Sequence, residues 1–431
     1  MINGLTGMQH AAGEMGRRLT AAGYAVHLAI PEPTPTDLHH TLAGVHRLDP
    51  IRLMPAGRLA RLPRFLGRIY GKLLFRRRRR LALSNLGQET YAALLQEVSP
   101  DLVLLDVEMH ACVFTTHRRG IPYALISQWF QSADLPELPP IDTPLLPGQA
   151  EAIARARATA ATNYAARRRT MASRQANNDR FSVLDAYRER CGFPAEWLET
   201  TGWPPPYNFR GVPTLHFCLR DLDFPHDVPS TARYVGPMVR ETDGAQALTE
   251  AVATLVTSAR RSGRRVIYAV GSSMRGQMSD YLPGLIQAVS GRPDWELLVS
   301  LSGKAEPADL PRPANVHYFT WLPQRELLPE VDLCIHHAGI NTIHECLYCG
   351  TPMLIYSGGR HDQPGCAARM QYHGLAVVGD PRAAAGQMQA DIQRALGDGE
   401  LETAREAVRR RLHAPASRVA LLRAVEELLE R

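Results

Sequence analysis

The chain has 431 residues, enough for two or three domains of ordinary size, and 45% of them are apolar, which supports a sizeable core and excludes general disorder. Its net charge is +6 and its pI about 9.0, with much of the excess in the run Arg76–Arg80. Charge alone leaves nucleic acid, an anionic membrane surface and a phosphorylated substrate open, whereas seven scattered cysteines exclude a disulfide framework.

The N-terminus, MINGLTGMQHAAGEMGRRL, lacks the basic head and apolar stretch of a signal peptide, and no apolar run has the length of a bilayer span. The expectation is a cytoplasmic protein. A first strand has little room before Gly7, so the chain is expected to begin within that strand, leaving a short one at residues 2–5. RRLTAAGYAV reads as a helix leading to a strand at Tyr24–Ile30.

From Leu59 to Leu74, apolar residues recur at Leu59, Leu62, Phe65, Leu66, Ile69, Leu73 and Leu74, and Arg58, Arg61, Arg64, Arg68 and Lys72 fill the other face. This predicts a cationic amphipathic helix. The favoured reading is a cleft-lining helix with solvated arginines; the alternative is peripheral contact of residues 58–80 with the inner face of a membrane. Aromatic residues suited to base stacking are not interleaved there, which argues against nucleic acid.

Strands follow at Asp101–Val107 and Ile121–Ser127, a proline-rich ordered loop at 135–147, and a helix with a basic face around Ala150–Arg174. The Pro- and Gly-rich stretch Asp223–Gly244 reads as a linker and divides the chain into domains 1–237 and 238–431. In the second domain, strands are expected at Arg264–Gly271, Trp295–Leu301, Asn315–Trp321, Val331–His337 and Thr351–Ser357. Strands alternating with helices predict an α/β protein with parallel, doubly wound sheets, whose ligands bind beyond the strands' carboxyl ends. The last helix, near 418–431, is expected to cross back to the first domain.

In VDLCIHHAGINTIHECLYCGTP, Val331–Pro352, a buried strand ends at two histidines, a small-residue loop follows and a helix begins. A helix start offers free N–H groups and a positive dipole end, so this arrangement suits a phosphate, with His337 able to hydrogen-bond it. Thr342-x-x-Glu345 also matches a capping box. His336 reads as a structural neighbour, and Cys346-x-x-Cys349, with no second such pair, as two small residues packed on a helix rather than a metal site.

The stretch Trp321–Leu375 resembles the donor-binding signature of the inverting UDP-glycosyltransferases of GT-B fold, whose pattern runs W-x-P-Q, H-x-G-x-N-[ST]-x-x-E, G-x-P, D-Q. VIYAVGSS, RYVGPMV and RRLTAAGYAV resemble the family's donor-domain first strand, its linker, and its first helix and second strand. The resemblance implies a GT-B protein with two Rossmann-like domains facing across a cleft. It implies transfer of a sugar, glucose foremost, from a UDP-sugar to a hydroxyl of a small lipophilic acceptor, with inversion. UDP is favoured over dTDP because Glu345 suits a ribose that keeps its 2′-hydroxyl.

Carried over, Trp321 stacks on the uracil and Gln324 lies beside the nucleoside. Glu345 accepts from the ribose hydroxyls, and His337, Gly339, Asn341 and Thr342 hold the diphosphate, with Ser272 or Ser273 closing on it. Asp362 and Gln363 read the sugar hydroxyls. The UDP-sugar is a co-substrate, and neither a further cofactor nor a metal is implied, because the helix dipole and His337 can offset the leaving diphosphate.

Three departures qualify the pattern. Ala338 replaces a customary Gly, and one extra residue stands between Glu345 and Asp362, leaving His361 as a competitor for the sugar contact. The family's catalytic histidine falls, by counting, on Met8, which cannot take a proton. His10 is then the nearest candidate base, with Asp106 as the carboxylate orienting it; otherwise His10 faces solvent and Asp106 caps a helix. The alternatives to a transferase are a catalytically impaired donor-binding homologue acting as a partner subunit, and a nucleotide-sugar epimerase or hydrolase.

Overall fold

The structure, a computed structural model, describes residues 6–30, 40–48, 88–133, 135–173, 180–199, 207–240, 248–271, 280–303 and 310–430. The expected strand at 2–5, the basic helix within 58–80 and Ser272–Ser273 lie outside them.

The first half opens with α1 (Thr6–Ala21), then the parallel pair β1 (His27–Ile30) and β2 (Gly44–Arg47). Next come α2 (Gln88–Val98), β3 (Val103–Asp106), α3 (His110–Arg118) and β4 (Tyr123–Ser127). Helices α4 (Ala150–Ser173) and α5 (Arg180–Arg190) lead to a small antiparallel pair, β5 (Leu198–Glu199) and β6 (Asn208–Phe209). Finally β7 (Thr214–His216) and β8 (Ala232–Tyr234) complete a four-stranded parallel sheet of order β3-β4-β7-β8. The apolar runs at β3 and β4 are buried almost throughout, as strands covered on both faces must be.

The expected linker at Asp223–Gly244 needs correction. Its residues Ala232–Tyr234 are the edge strand β8, paired in parallel with β7 through Thr214↔Ala232 and His216↔Tyr234. A three-residue strand between Pro229 and Gly236 carries no readable period, so proline and glycine content alone misdescribed it.

The second half holds α6 (Glu250–Arg261), β9 (Arg265–Val270), α7 (Leu282–Ser290), β10 (Trp295–Ser300), β11 (Val316–Phe319) and the short α8 (Gln324–Leu327). It continues with β12 (Leu333–His336), α9 (Ile340–Cys349), β13 (Met353–Ile355), α10 (Gln363–Tyr372) and β14 (Val377–Val378). Three helices end it: α11 (Ala385–Gly397), α12 (Gly399–Leu412) and α13 (Pro415–Leu429). Helix α6 buries Val252, Val256 and Ala259 along one stripe, and Thr249 caps it by accepting from the Val252 N–H.

The six strands are all parallel in the order β11-β10-β9-β12-β13-β14. The chain builds outward from β9 in one direction, then returns to build from β12 in the other. A crevice therefore opens between the carboxyl ends of β9 and β12.

Helix α13 leaves the second half: Leu421, Ala424, Val425 and Leu428 share a core with Met8, Leu28, Ile126, Leu215 and Phe217 of the first. All seven cysteines are free, and no helix among the described residues is long and apolar enough to cross a membrane.

Candidate active site

Strand β12 delivers His336 to the crevice, fully buried. Its Nδ1 accepts the Ala338 N–H at 3.2 Å, and burial pushes the imidazole down to about 3, so it is a neutral brace for the turn. Ala338 has φ 71, the left-handed conformation that explains why glycine is customary there. At Gly339 an added Cβ would meet Nε2 of His337 at 3.1 Å, so a side chain there would crowd the ring folded beside it.

Helix α9 then starts at Ile340 with Gly339 as its N-cap and no side-chain cap. The capping box is therefore not formed. Thr342 and Glu345 lie inside the helix, one turn apart, and both are claimed by Gln324 at the start of α8. The Gln324 Nε2 donates to Thr342 Oγ1 at 3.3 Å and to Glu345 Oε2, while its Oε1 accepts from the Tyr268 hydroxyl at 3.2 Å. Burial pushes the Glu345 carboxyl up to about 7, against the pull of the Gln324 amide. Beside this network Trp321 is 57% exposed, so it is not a core aromatic.

The extra residue before Asp362 is absorbed by two left-handed positions, Gly359 at φ 66 and His361 at φ 53, and His361 ends exposed. Asp362 is the N-cap residue of α10 but makes no capping bond. Burial pushes its carboxyl up to about 6, and the charge of Glu108 adds to the rise. Gln363 is buried, and its Oε1 has no hydrogen-bond partner. A buried acceptor of this kind needs a donor.

The first half supplies the facing wall. Gln128, just past β4, accepts from Asn341 Nδ2 at 3.2 Å. An added Cβ on Gly7 would lie 2.2 Å from the same Asn341 nitrogen, so the start of α1 meets the start of α9. Met8, where counting put the family histidine, is instead 1% exposed in the core with Ala124 and Ile126. His10 is exposed one residue beyond Gln9 on α1. Asp106 is buried at the end of β3 and its Oδ1 accepts the Glu108 N–H at 3.0 Å. It does not cap α3, whose N-cap is Met109.

Sequence reasoning missed the joint between the halves. Arg369 of α10 and Asp223 are both fully buried at the side chain and paired at 2.6 Å. The same carboxylate accepts the Gln131 N–H at 2.8 Å, and His373 Nε2 donates to the Asp223 carbonyl at 3.0 Å. Burial alone would raise the Asp223 carboxyl, but Arg369 and the Gln131 N–H outweigh it and hold it below the ordinary range. The guanidinium also lies over Phe130 and Phe224. An unusual arginine in the apolar run CAARM was the available signal.

Residues 215–397 match the family model described as UDP-glucoronosyl and UDP-glucosyl transferase. That match covers less than half of the chain. The matched stretch runs from β7 to α11 and so includes the whole crevice between β9 and β12. Over 290 residues the chain is 24% identical to 4′-demethylrebeccamycin synthase of Lentzea aerocolonigenes, covering 66% of this chain and 63% of that one. It is 29% identical over 194 residues to UDP-glucuronosyltransferase 2A3 of Mus musculus, covering 44% of this chain and 33% of the mouse protein. The matched stretches thus span less than two thirds of either relative. The crystal structure of the glycotransferase of kitacinnamycin superposes with a TM-score of 0.67 at 19% identity, covering 99% of this chain and 98% of that one. The fold is GT-B, two Rossmann-like halves across a cleft.

Proposed function

We propose that the protein is a glycosyltransferase that moves a sugar, glucose foremost, from a UDP-sugar to a hydroxyl of a small lipophilic acceptor with inversion. The observation that carries this reading is the crevice edge itself. The stretch that borders it carries an exposed Trp321, the Gln324–Thr342–Glu345 network, the side-chain-uncapped start of α9 and the unpartnered Oε1 of Gln363. That order suits a base, a ribose, a diphosphate and a sugar.

Trp321 offers a face for stacking uracil. Glu345 accepts from ribose hydroxyls, and its half-buried carboxyl gains partners when they arrive. The N–H groups opening α9, with His337 and Asn341, take up the diphosphate charge that grows as the anomeric bond breaks. Ser272 and Ser273, which follow β9 in the sequence, lie outside the described residues. Gln363 and Asp362 meet the sugar hydroxyls. The fully buried Arg369–Asp223 joint supports a donor site whose two walls are held in fixed relation.

Calorimetric titration with UDP-glucose, UDP and dTDP, each in chelator, tests the donor site. Tight UDP-glucose binding, lost in Glu345→Ala, is the expected result. Tighter binding of dTDP than UDP would reassign the donor, and binding only with added metal would overturn the metal-independent form. If none binds, the transferase reading fails. The partner-subunit reading is separated by UDP release: a protein that binds UDP-glucose but releases no UDP with any lipophilic acceptor is a donor-binding homologue.

A further inference from the structure

Two pieces of the first half meet the start of α9, and both meet it at Asn341. Gln128 Oε1 accepts from Asn341 Nδ2 at 3.2 Å. A Cβ built on Gly7 would lie 2.2 Å from the same nitrogen and 3.8 Å from Gln128 Oε1, so the carboxamide occupies space that only a glycine leaves open. One turn further along α9, the His344 ring stands edge-on to Phe130 at 6.5 Å. Residues three apart share a helix face, so α9 lies along the segment 128–130 with Asn341 at one end and His344 at the other. That segment is clamped. The Phe217 N–H donates to the Ser127 carbonyl at 2.8 Å, the Trp129 N–H to Ser127 Oγ at 3.2 Å, and the Gln131 N–H to the buried Asp223 carboxylate at 2.8 Å. Gln128 therefore reaches across the cleft from backbone that is held on both sides.

We propose that Gln128 is a positioning residue for the leaving diphosphate, holding the Asn341 carboxamide with its nitrogen turned to the cleft, so that the first half completes the site at the start of α9. This rests on the transferase reading above. A carboxamide has a donor end and an acceptor end of almost the same shape, and rotation about its last bond exchanges them. Turned to a diphosphate, the acceptor end would repel it. The bond to Gln128 fixes the donor end, and because Nδ2 carries two hydrogens, one remains for a phosphate oxygen. Gly7 contributes by having no side chain, since a methyl group there would push the nitrogen away. Gln128 acts through Asn341 and needs no contact with the phosphates.

The test compares UDP with uridine, which has the same base and ribose but no phosphate. Wild type, Gln128→Leu, Asn341→Ala, the double variant and Gly7→Ala are titrated with each by calorimetry. Gln128→Leu is expected to weaken UDP about three- to tenfold and to leave uridine within about twofold of wild type. Gly7→Ala, which removes no polar group, is expected to show the same UDP-selective loss. The double variant is expected to bind UDP no more weakly than Asn341→Ala, because a residue that acts through Asn341 then has nothing left to position. The proposal is overturned if Gln128→Leu binds UDP within about twofold of wild type, if uridine falls as much as UDP, or if the two losses multiply in the double variant. Thermal melting of each variant separates a misplaced side chain from a lost fold, and should Gln128→Leu not fold, Gly7→Ala carries the test. A wild type that binds no UDP sinks the donor-site reading itself. UDP binding that Glu345→Ala abolishes and Gln128→Leu leaves intact sinks the Gln128 proposal alone.

Discussion

Two residues make the proposed donor site testable one side chain at a time. Trp321 is 57% exposed, so it adds little to the core and much of its face is available to a base. Trp321→Ala is expected to weaken UDP binding by about 1–3 kcal/mol while leaving the melting midpoint nearly unchanged. A variant that binds UDP normally would remove the stacking role. Glu345 works in the opposite sense, because its carboxyl is pushed up to about 7 by burial. The folded protein holds this proton more tightly than the unfolded chain does, so between the ordinary carboxylate value of 4.5 and about 7 the ligand-free protein loses stability as pH rises. In the proposed donor site, however, ionised Glu345 is the form that would accept ribose hydroxyls. Donor affinity should therefore fall as pH drops below about 7. Glu345→Gln should stabilise the ligand-free protein at pH 8 by on the order of 1 kcal/mol given its partial exposure, raising its melting midpoint while weakening the donor. A donor affinity that is flat from pH 6 to 8 would show that Glu345 does not touch the ribose.

At the scale of elements, α10 joins the halves. The Gly365 N–H donates to the Ile141 carbonyl at 2.9 Å, and an added Cβ at Gly365 would lie 2.2 Å from that oxygen. Backbone cannot step aside as a flexible side chain can. Gly365→Ala should cost about 1–3 kcal/mol and displace the start of α10, weakening the donor as well. One turn later, Arg369→Leu leaves Asp223 buried and unpaired, an expected loss of about 3–5 kcal/mol in urea unfolding. Because the Asp223 carboxyl is held low, the pair's contribution is intact above the ordinary carboxylate value and disappears only as pH falls below it. An Arg369→Leu protein as stable as wild type would mean the pair is replaceable by apolar packing.

Over the whole molecule, α13 stitches the end of the chain to its beginning. Leu421 is fully buried among residues of α1, β4 and β7. Leu421→Ala should cost about 2–5 kcal/mol. Because the loss falls on the first half through a helix that follows the second, calorimetry should still show one transition. Two separated transitions in wild type would mean that the halves unfold independently despite the Arg369 joint and α13.

Strands β9, β10 and β12 were legible as unbroken apolar runs and α9 as the helical run after them, and the order of Trp321, Gln324, His337, Glu345 and Gln363 along the chain is the pattern from which the nucleotide-sugar site is proposed. Strand β8 was not legible: at three residues it is too short for a period, and it exists only because β7 offers an open edge. Thr342 and Glu345 satisfied a capping pattern locally, yet Gln324 from another element claimed both, because a side-chain amide across the crevice offers two donors and an acceptor at once. Residue types and their spacing are local properties, so the sequence by itself determined the α/β class and the donor signature. Only the tertiary structure decided that Met8 is core, that Arg369 meets Asp223 and that Gln128 meets Asn341. Those outcomes depend on strand register and on which faces meet across a cleft, quantities that no single stretch of chain contains.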